Sequence, residues 1–277
     1  MSRKPLRMGR ISFLNVLPIY HPLEAGIIPH DFELVAGPPA FLNELMAQGR
    51  LQISSCSCIE YARNPGRYYL VRDLSIGSRG PVMSVLLLSA LPIDQLSGRE
   101  ILISGESHTS VALLRLMLRD YYQVDVSFRT GNVTQELASA NPPAAFLAIG
   151  DEALRLRDLA SHPYRVDLAD AWRDWTGLPF VFGLWVISAA AVRNGLFASD
   201  PGELLRQGRD WGLANMEVIL DLTGHGCPLS REQLRDYYQN GLFYNLAGDE
   251  LEGLKFFYRK LEQSGIIRAA PDLRFFG

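Results

Sequence analysis

Two long apolar runs, each launched by a proline, set the topology open to this chain. Pro81-Val-Met-Ser-Val-Leu-Leu-Leu-Ser89 and Leu178-Pro-Phe-Val-Phe-Gly-Leu-Trp-Val-Ile-Ser188 are of strand length, carry no charge, and begin where proline holds the backbone extended. Between them the pattern alternates. Ile101–Ile103 reads as a strand, Val111–Leu118 as a helix, Val124–Arg129 as a strand, Asn132–Ala140 as a helix and Ala144–Ile149 as a strand. Arg155–Asp167 is charged and irregular, and Leu168–Trp175 predicts a short helix. Ahead of the first run lies a second alternating unit, with strands at Arg7–Phe13, Phe32–Ala36 and Leu51–Ser55, a helix at Ala40–Gln48, and a strand at Tyr68–Leu74. After Ser188 the chain is mainly helical, at Pro201–Leu222, Arg231–Ala247 and Asp249–Gln263. One α/β unit bracketed by extended crossovers, with a helical tail returning to the other, predicts an α/β protein of two lobes. Residues 1–89 and 187–277 form one, and residues 90–186 the other. A ligand is expected in the cleft between them, at the carboxyl ends of strands.

The residues at those ends are small and polar: Ser12 and Asn15 after the first strand, and Ser54, Ser55 and Ser57 around the third. The join Ser104-Gly-Glu-Ser-His-Thr-Ser110 leads from a strand into a helix, so unpaired backbone N–H groups lie beside the hydroxyls of Ser107, Thr109 and Ser110. That arrangement serves either as a cradle for a carboxylate or phosphate, or as a helix cap. His108 in this loop is a candidate base, with an exposed surface histidine as the alternative. Glu60 and Asp151 follow strand ends, where a carboxylate acts as a base, caps a helix or pairs with a cation.

Several function classes find no support. A net charge of −3 with 27 scattered Lys and Arg gives no nucleic-acid footprint. There is no Gly-Lys-Ser phosphate loop, no Gly-x-Gly-x-x-Gly after a strand and no His-Glu-x-x-His, so no cofactor or metal is expected. Cys56, Cys58, His225 and Cys227 would make a zinc site of unusual spacing. Three cysteines suit a reducing compartment, no apolar segment follows the basic N-terminal residues, and no run is long enough to span a bilayer. The expectation is a cytoplasmic protein with a small-molecule partner, bound neither to nucleic acid nor to membrane.

Taken in order, Gly9-Arg-Ile-Ser-Phe-Leu-Asn15 with Pro18, Ile59-Glu-Tyr61, Ser84-Val85, Ser107-His-Thr-Ser-Val111, Ile149-Gly-Asp151, Thr176-Gly-Leu-Pro-Phe-Val-Phe182 and Gly253-Leu-Lys-Phe-Phe-Tyr258 resemble the chorismate dehydratase family of the futalosine route to menaquinone. The resemblance implies a type-2 periplasmic-binding-protein-like fold with two hinge crossovers. It also implies loss of water from chorismate to give 3-[(1-carboxyvinyl)oxy]benzoate, a reaction that makes an aromatic ring and needs no cofactor. Under this reading Ser107, Thr109 and Ser110 receive one substrate carboxylate, and Ser84 with Ser54 and Ser55 faces them. Asn15 acts on the leaving hydroxyl, and Ser12, Asp151 and Thr176 join the substrate site. The base is His108 or the substrate's own enolpyruvyl carboxylate. The Cys56-Ser57-Cys58 turn departs from the expected family pattern. The sister enzyme 1,4-dihydroxy-6-naphthoate synthase, a solute-binding protein and a ligand sensor remain alternatives.

Overall fold

A computed structural model describes residues 5–105, 108–223, 227 and 229–277. Two five-stranded mixed sheets organise it. The first sheet has the order β2-β1-β3-β10-β4, formed by Glu33–Gly37, Arg7–Ile11, Ile53–Ser57, Phe180–Ser188 and Tyr68–Ser78. The second has the order β7-β6-β8-β5-β9, formed by Ser127–Thr130, Glu100–Ile103, Ala145–Ile149, Val85–Ser89 and Tyr164–Asp167. In each sheet, strands joined through helices run parallel (β2, β1 and β3; β7, β6 and β8). In each, the strand that arrives over a crossover runs antiparallel between two neighbours. The apolar runs are continuous rather than alternating because both faces of these strands are covered; every residue of β5 is buried.

The expected boundaries at 89/90 and 186/187 therefore shift. The strand 85–89 belongs to the second sheet and residues 180–186 to the first, so the chain changes sheets at residues 79–84 and again at 177–179. Each proline-launched run is the first strand laid down after a crossing. Two further expectations change. The stretch expected to be irregular, Arg155–Asp167, opens in the last turn of helix α6 (Gly150–Leu156) and ends in β9, an edge strand. The helix expected over Arg231–Ala247 is α-helical only to Asp236 (α11), continues as one π-helical turn over Tyr237–Gly241, and then extends. Gly241 ends the turn, and the following backbone pairs with the edge of β4: Phe243 exchanges N–H···O=C bonds with Gly77, and Ser75 N–H donates to the Tyr244 carbonyl.

The remaining helices are α1 (Leu17–Glu24), α2 (Pro39–Ala47), α3 (Cys58–Arg63), α4 (His108–Leu116), α5 (Val133–Leu137), α7 (Leu168–Thr176), α8 (Ala189–Arg193), α9 (Pro201–Ala214), α10 (Met216–Thr223) and α12 (Gly248–Gln263). The buried face of α12, Glu250, Gly253, Leu254, Phe257, Tyr258 and Leu261, follows helical spacing. Gly253 allows the closest approach, because a Cβ there would lie 2.2 Å from the Pro179 carbonyl oxygen at the second crossover. The tail thus rests directly on the hinge. Among the described residues no helix is long and apolar enough to cross a membrane.

Candidate functional site

A cleft of about 710 Å³, partly open to solvent, lies where the two sheets face each other. Phe13, Asn15, Ser57 and Phe182 enter it from the first sheet, and Ser84, Thr109, Ser110 and Gly150 from the crossover and the second sheet, with His108 at one side. Ile11, Ile76, Val82, Val85 and Ile149 make the walls apolar. The described lining contains no Asp, Glu, Lys or Arg. Its polarity comes from hydroxyls, one amide and helix starts: α2, α3, α4 and α6 all begin at the cleft and bring their partial positive ends to it, although the Ile59 and Gly150 N–H groups are already bonded within the protein. Such a site favours an anion without supplying a fixed cation.

Asn15 sits in a single 3-10 turn, Leu14–Val16, that follows β1. Its Oδ1 is shut off from solvent and has no hydrogen-bond partner among the described residues, and the same holds for Ser57 Oγ. Buried polar atoms of this kind cost stability unless a ligand or water satisfies them. Ser57 precedes α3 as its N-cap residue but makes no cap bond, which leaves its hydroxyl to the cleft. Ser84 is buried; its Oγ accepts a bond from the Tyr237 hydroxyl (3.1 Å) and its carbonyl accepts the Gly150 N–H (2.7 Å).

Thr109 bridges the cleft. Its Oγ1 accepts the Ile59 N–H at 3.3 Å and lies 3.5 Å from Cys58 Sγ, joining the start of α4 to the start of α3. Ser110 is buried beside it on the lining, His108 is exposed, and Ser107 lies outside the described residues. Asn15, Ser84, Thr109, Ser110 and His108 are thus brought together as expected from their places at strand and helix ends.

The other expected residues are not on the lining. Ser12 is exposed beyond β1. Ser54 is fully buried, its Oγ donating to the Ser55 carbonyl (3.0 Å) and filling the space beside Gly9, where a Cβ would come within 2.3 Å. Ser55 is buried inside β3, so it is Ser57, two residues on, that reaches the strand end. Thr176 closes α7: its hydroxyl donates to the Trp172 carbonyl (2.8 Å) and accepts the Leu178 N–H, next to Gly177 at φ 73°. Asp151 stands behind the Asn15 turn, where Oδ1 accepts the Leu14 N–H at 3.2 Å. Burial raises the Asp151 pKa, opposed by that N–H and by Arg155.

Phe13 and Phe182, the aromatic walls, escaped the sequence reading, although Phe13 lies between two residues singled out. Cys56 lines the cleft and Cys58 touches Thr109, and burial pushes both thiols up, Cys58 to about 12, so both stay protonated at neutral pH. Cys227 is half-buried, and His225 lies outside the described residues.

Two mixed α/β sheets joined by paired crossovers around an anion-friendly cleft define a periplasmic-binding-protein-like fold. The periplasmic aliphatic sulphonate binding protein SsuA from Escherichia coli superposes with a TM-score of 0.66 over 100% of this chain and 93% of that one, at 14% identity. The family model described as menaquinone biosynthesis matches residues 6–263, and the chain belongs to that family. Its relatives include the chorismate dehydratase of Thermus thermophilus, 27% identical across 93% of this chain and 96% of that protein. The 1,4-dihydroxy-6-naphtoate synthase of the same organism is 24% identical across 96% and 97%.

Proposed function

We propose that this chain is a chorismate dehydratase, a carbon-oxygen lyase that removes water from chorismate to give 3-[(1-carboxyvinyl)oxy]benzoate on the way to menaquinone. The observation that carries this reading is the meeting of Asn15, Ser84 and the first turn of α4 in one apolar cleft, in a chain of the menaquinone family. The C3–H bond breaks, its electron pair becomes the C3–C4 double bond, and hydroxide leaves C4 and is protonated to water, so no electrons need an acceptor. What the site must supply is orientation, hydrogen bonds to two carboxylates and a donor for the departing oxygen. Ser110 and the N–H groups that begin α4 suit one carboxylate, and the Ser84 and Ser57 hydroxyls suit the other. The Asn15 amide suits the leaving hydroxyl, since its Nδ2 donates whatever Oδ1 accepts. The exposed position of His108 favours the substrate's own enolpyruvyl carboxylate as the base.

The two sheets with their helices act as lobes that divide at residues 79–84 and 177–179, and closure across Thr109 excludes water while hydroxide departs. The cytoplasm is the compartment this reading implies. The test is direct. Purified protein, treated with a chelator and given no cofactor, should convert chorismate to a product lighter by one water, followed by absorbance and mass spectrometry. The second Thermus relative makes naphthoate synthase the parallel assay; a response there alone, or chorismate binding without turnover, rejects the dehydratase.

A further inference from the structure

Two residues that the dehydratase reading sets against the substrate, Ser84 at a carboxylate and Asn15 at the leaving hydroxyl, are both held by one short stretch of the C-terminal tail. Tyr237 and Tyr238 occupy the π-helical turn, and Tyr244 follows in the extended segment paired to β4. All three are buried. The Tyr237 hydroxyl donates to Ser84 Oγ (3.1 Å), Tyr238 donates to the Leu14 carbonyl (3.0 Å), and Tyr244 donates to the Asn15 carbonyl (2.9 Å). The wide π turn lets adjacent tyrosines, with ring centroids 5.5 Å apart, both aim at the site rather than diverge as in an α-helix.

The consequences for the two site residues differ. A serine hydroxyl has one proton and two lone pairs. With Tyr237 donating into one lone pair, the proton of Ser84 is left to point into the cleft, where it is available to a substrate oxygen. Burial raises the Tyr237 and Tyr244 pKa values, so both remain donors at neutral pH. The 3-10 turn carrying Asn15 has its Leu14 and Asn15 carbonyls taken by Tyr238 and Tyr244 and its Leu14 N–H taken by Asp151, so the backbone from which the amide projects is fixed on three sides.

We infer that Tyr237 and Tyr244 are positioning residues, Tyr237 setting Ser84 as a donor toward substrate and Tyr244 setting the Asn15 amide. This rests on the dehydratase reading of Ser84 and Asn15. Tyr237→Phe and Tyr244→Phe keep the rings and lose only the hydroxyls. The experiment places Tyr237→Phe in the wild-type and Ser84→Ala backgrounds, and Tyr244→Phe in the wild-type and Asn15→Ala backgrounds. It measures kcat, KM, chorismate Kd and melting temperature in each. In the wild type Tyr244→Phe should lower kcat and Tyr237→Phe should raise KM, each about three- to tenfold, as expected for one hydrogen bond. Tyr244→Phe in the Asn15→Ala background should leave kcat unmoved while lowering the melting temperature as it does in the wild type, because its bond is to a backbone carbonyl; Tyr237→Phe in the Ser84→Ala background, where its bond is already gone, should leave both KM and the melting temperature nearly unmoved. A purely structural role would lower activity equally in both backgrounds, and that result, or no loss in the wild type, overturns the assignment. Turnover by the wild type judges the reaction separately. If chorismate binds without reacting, the same two-background comparison read on Kd decides the positioning role.

Discussion

Met83 adopts φ 64°, a left-handed backbone that costs a residue with a Cβ about 1–2 kcal/mol, one position before Ser84. What holds it there is Asp167. One carboxylate oxygen accepts the Val82 N–H (3.1 Å) and the other the Met83 N–H (2.7 Å), while the first also caps α7 through Ala169 and Asp170. Burial raises the Asp167 pKa in spite of these four donors. The folded value therefore lies above the unfolded one, and between the two the native state holds a proton that the unfolded chain has released. Stability from this group falls as pH rises through that window and returns as pH falls through it. Asp167→Asn should cost about 1–3 kcal/mol at neutral pH, since an amide nitrogen would face a backbone N–H. The gap between the two melting curves should widen in favour of the wild type as pH is lowered into the carboxylate range. A gap that stays flat or narrows would count against the shift. At this scale the sequence singled out Asn15, Thr109 and Ser110 as small polar residues at strand and helix ends, where an anion cradle and a helix cap look alike, and Ser84 through the family resemblance. It could not separate Ser55 from Ser57, since facing depends on where β3 stops. Nor did it reveal three tyrosines more than 150 residues away from what they hold, as in Tyr237 to Ser84 with a separation of 153.

Among the elements, α12 shows most plainly how packing fixes the hinge. The Gly253 position faces the Pro179 carbonyl, and Tyr258 one turn on donates to the Cys58 carbonyl (2.7 Å) at the start of α3. One helix therefore touches both the second crossover and the cleft. Gly253→Ala should force the helix or the crossover to move, because backbone cannot yield as a side chain can. Overpacking of this kind costs about 1–3 kcal/mol. A thermal melt checks it against Gly66→Ala, where nothing lies within 4 Å and no change is expected. Equal melting temperatures for the two variants would show that α12 has room to spare. Helices with strong periodicity and strands with unbroken apolar runs were legible, β5 and β10 most of all. The elements missed were those whose form depends on distant partners. β9 is a strand because β5 offers an edge to it, and residues 242–247 are extended because β4 offers its own.

For the whole molecule, both crossover strands lie inside their sheets: β10 between β3 and β4, and β5 between β8 and β9. The two-lobed α/β plan was legible from the paired proline-launched runs, but the sheet each run joins was not, because an apolar strand fits equally well beside either set of neighbours. The interior position of β10 carries a consequence for the order in which the chain takes shape during synthesis. The first four strands of the first sheet are complete by residue 78, yet β3 and β4 have no common neighbour until residues 180–188 arrive. A nascent chain must hold those two edges unpaired while the entire second sheet is made. Contacts spanning so much sequence slow folding and leave edges open to other chains. A chain stopped after residue 80, which carries the first four strands and none of the second sheet, should accordingly show no cooperative unfolding transition by circular dichroism, and a sharp one would mean that the first sheet closes without its centre. The strand laid down just after the second crossover thus makes the first lobe finish last, and the amino-terminal half waits with β3 and β4 unjoined until most of the chain has been translated.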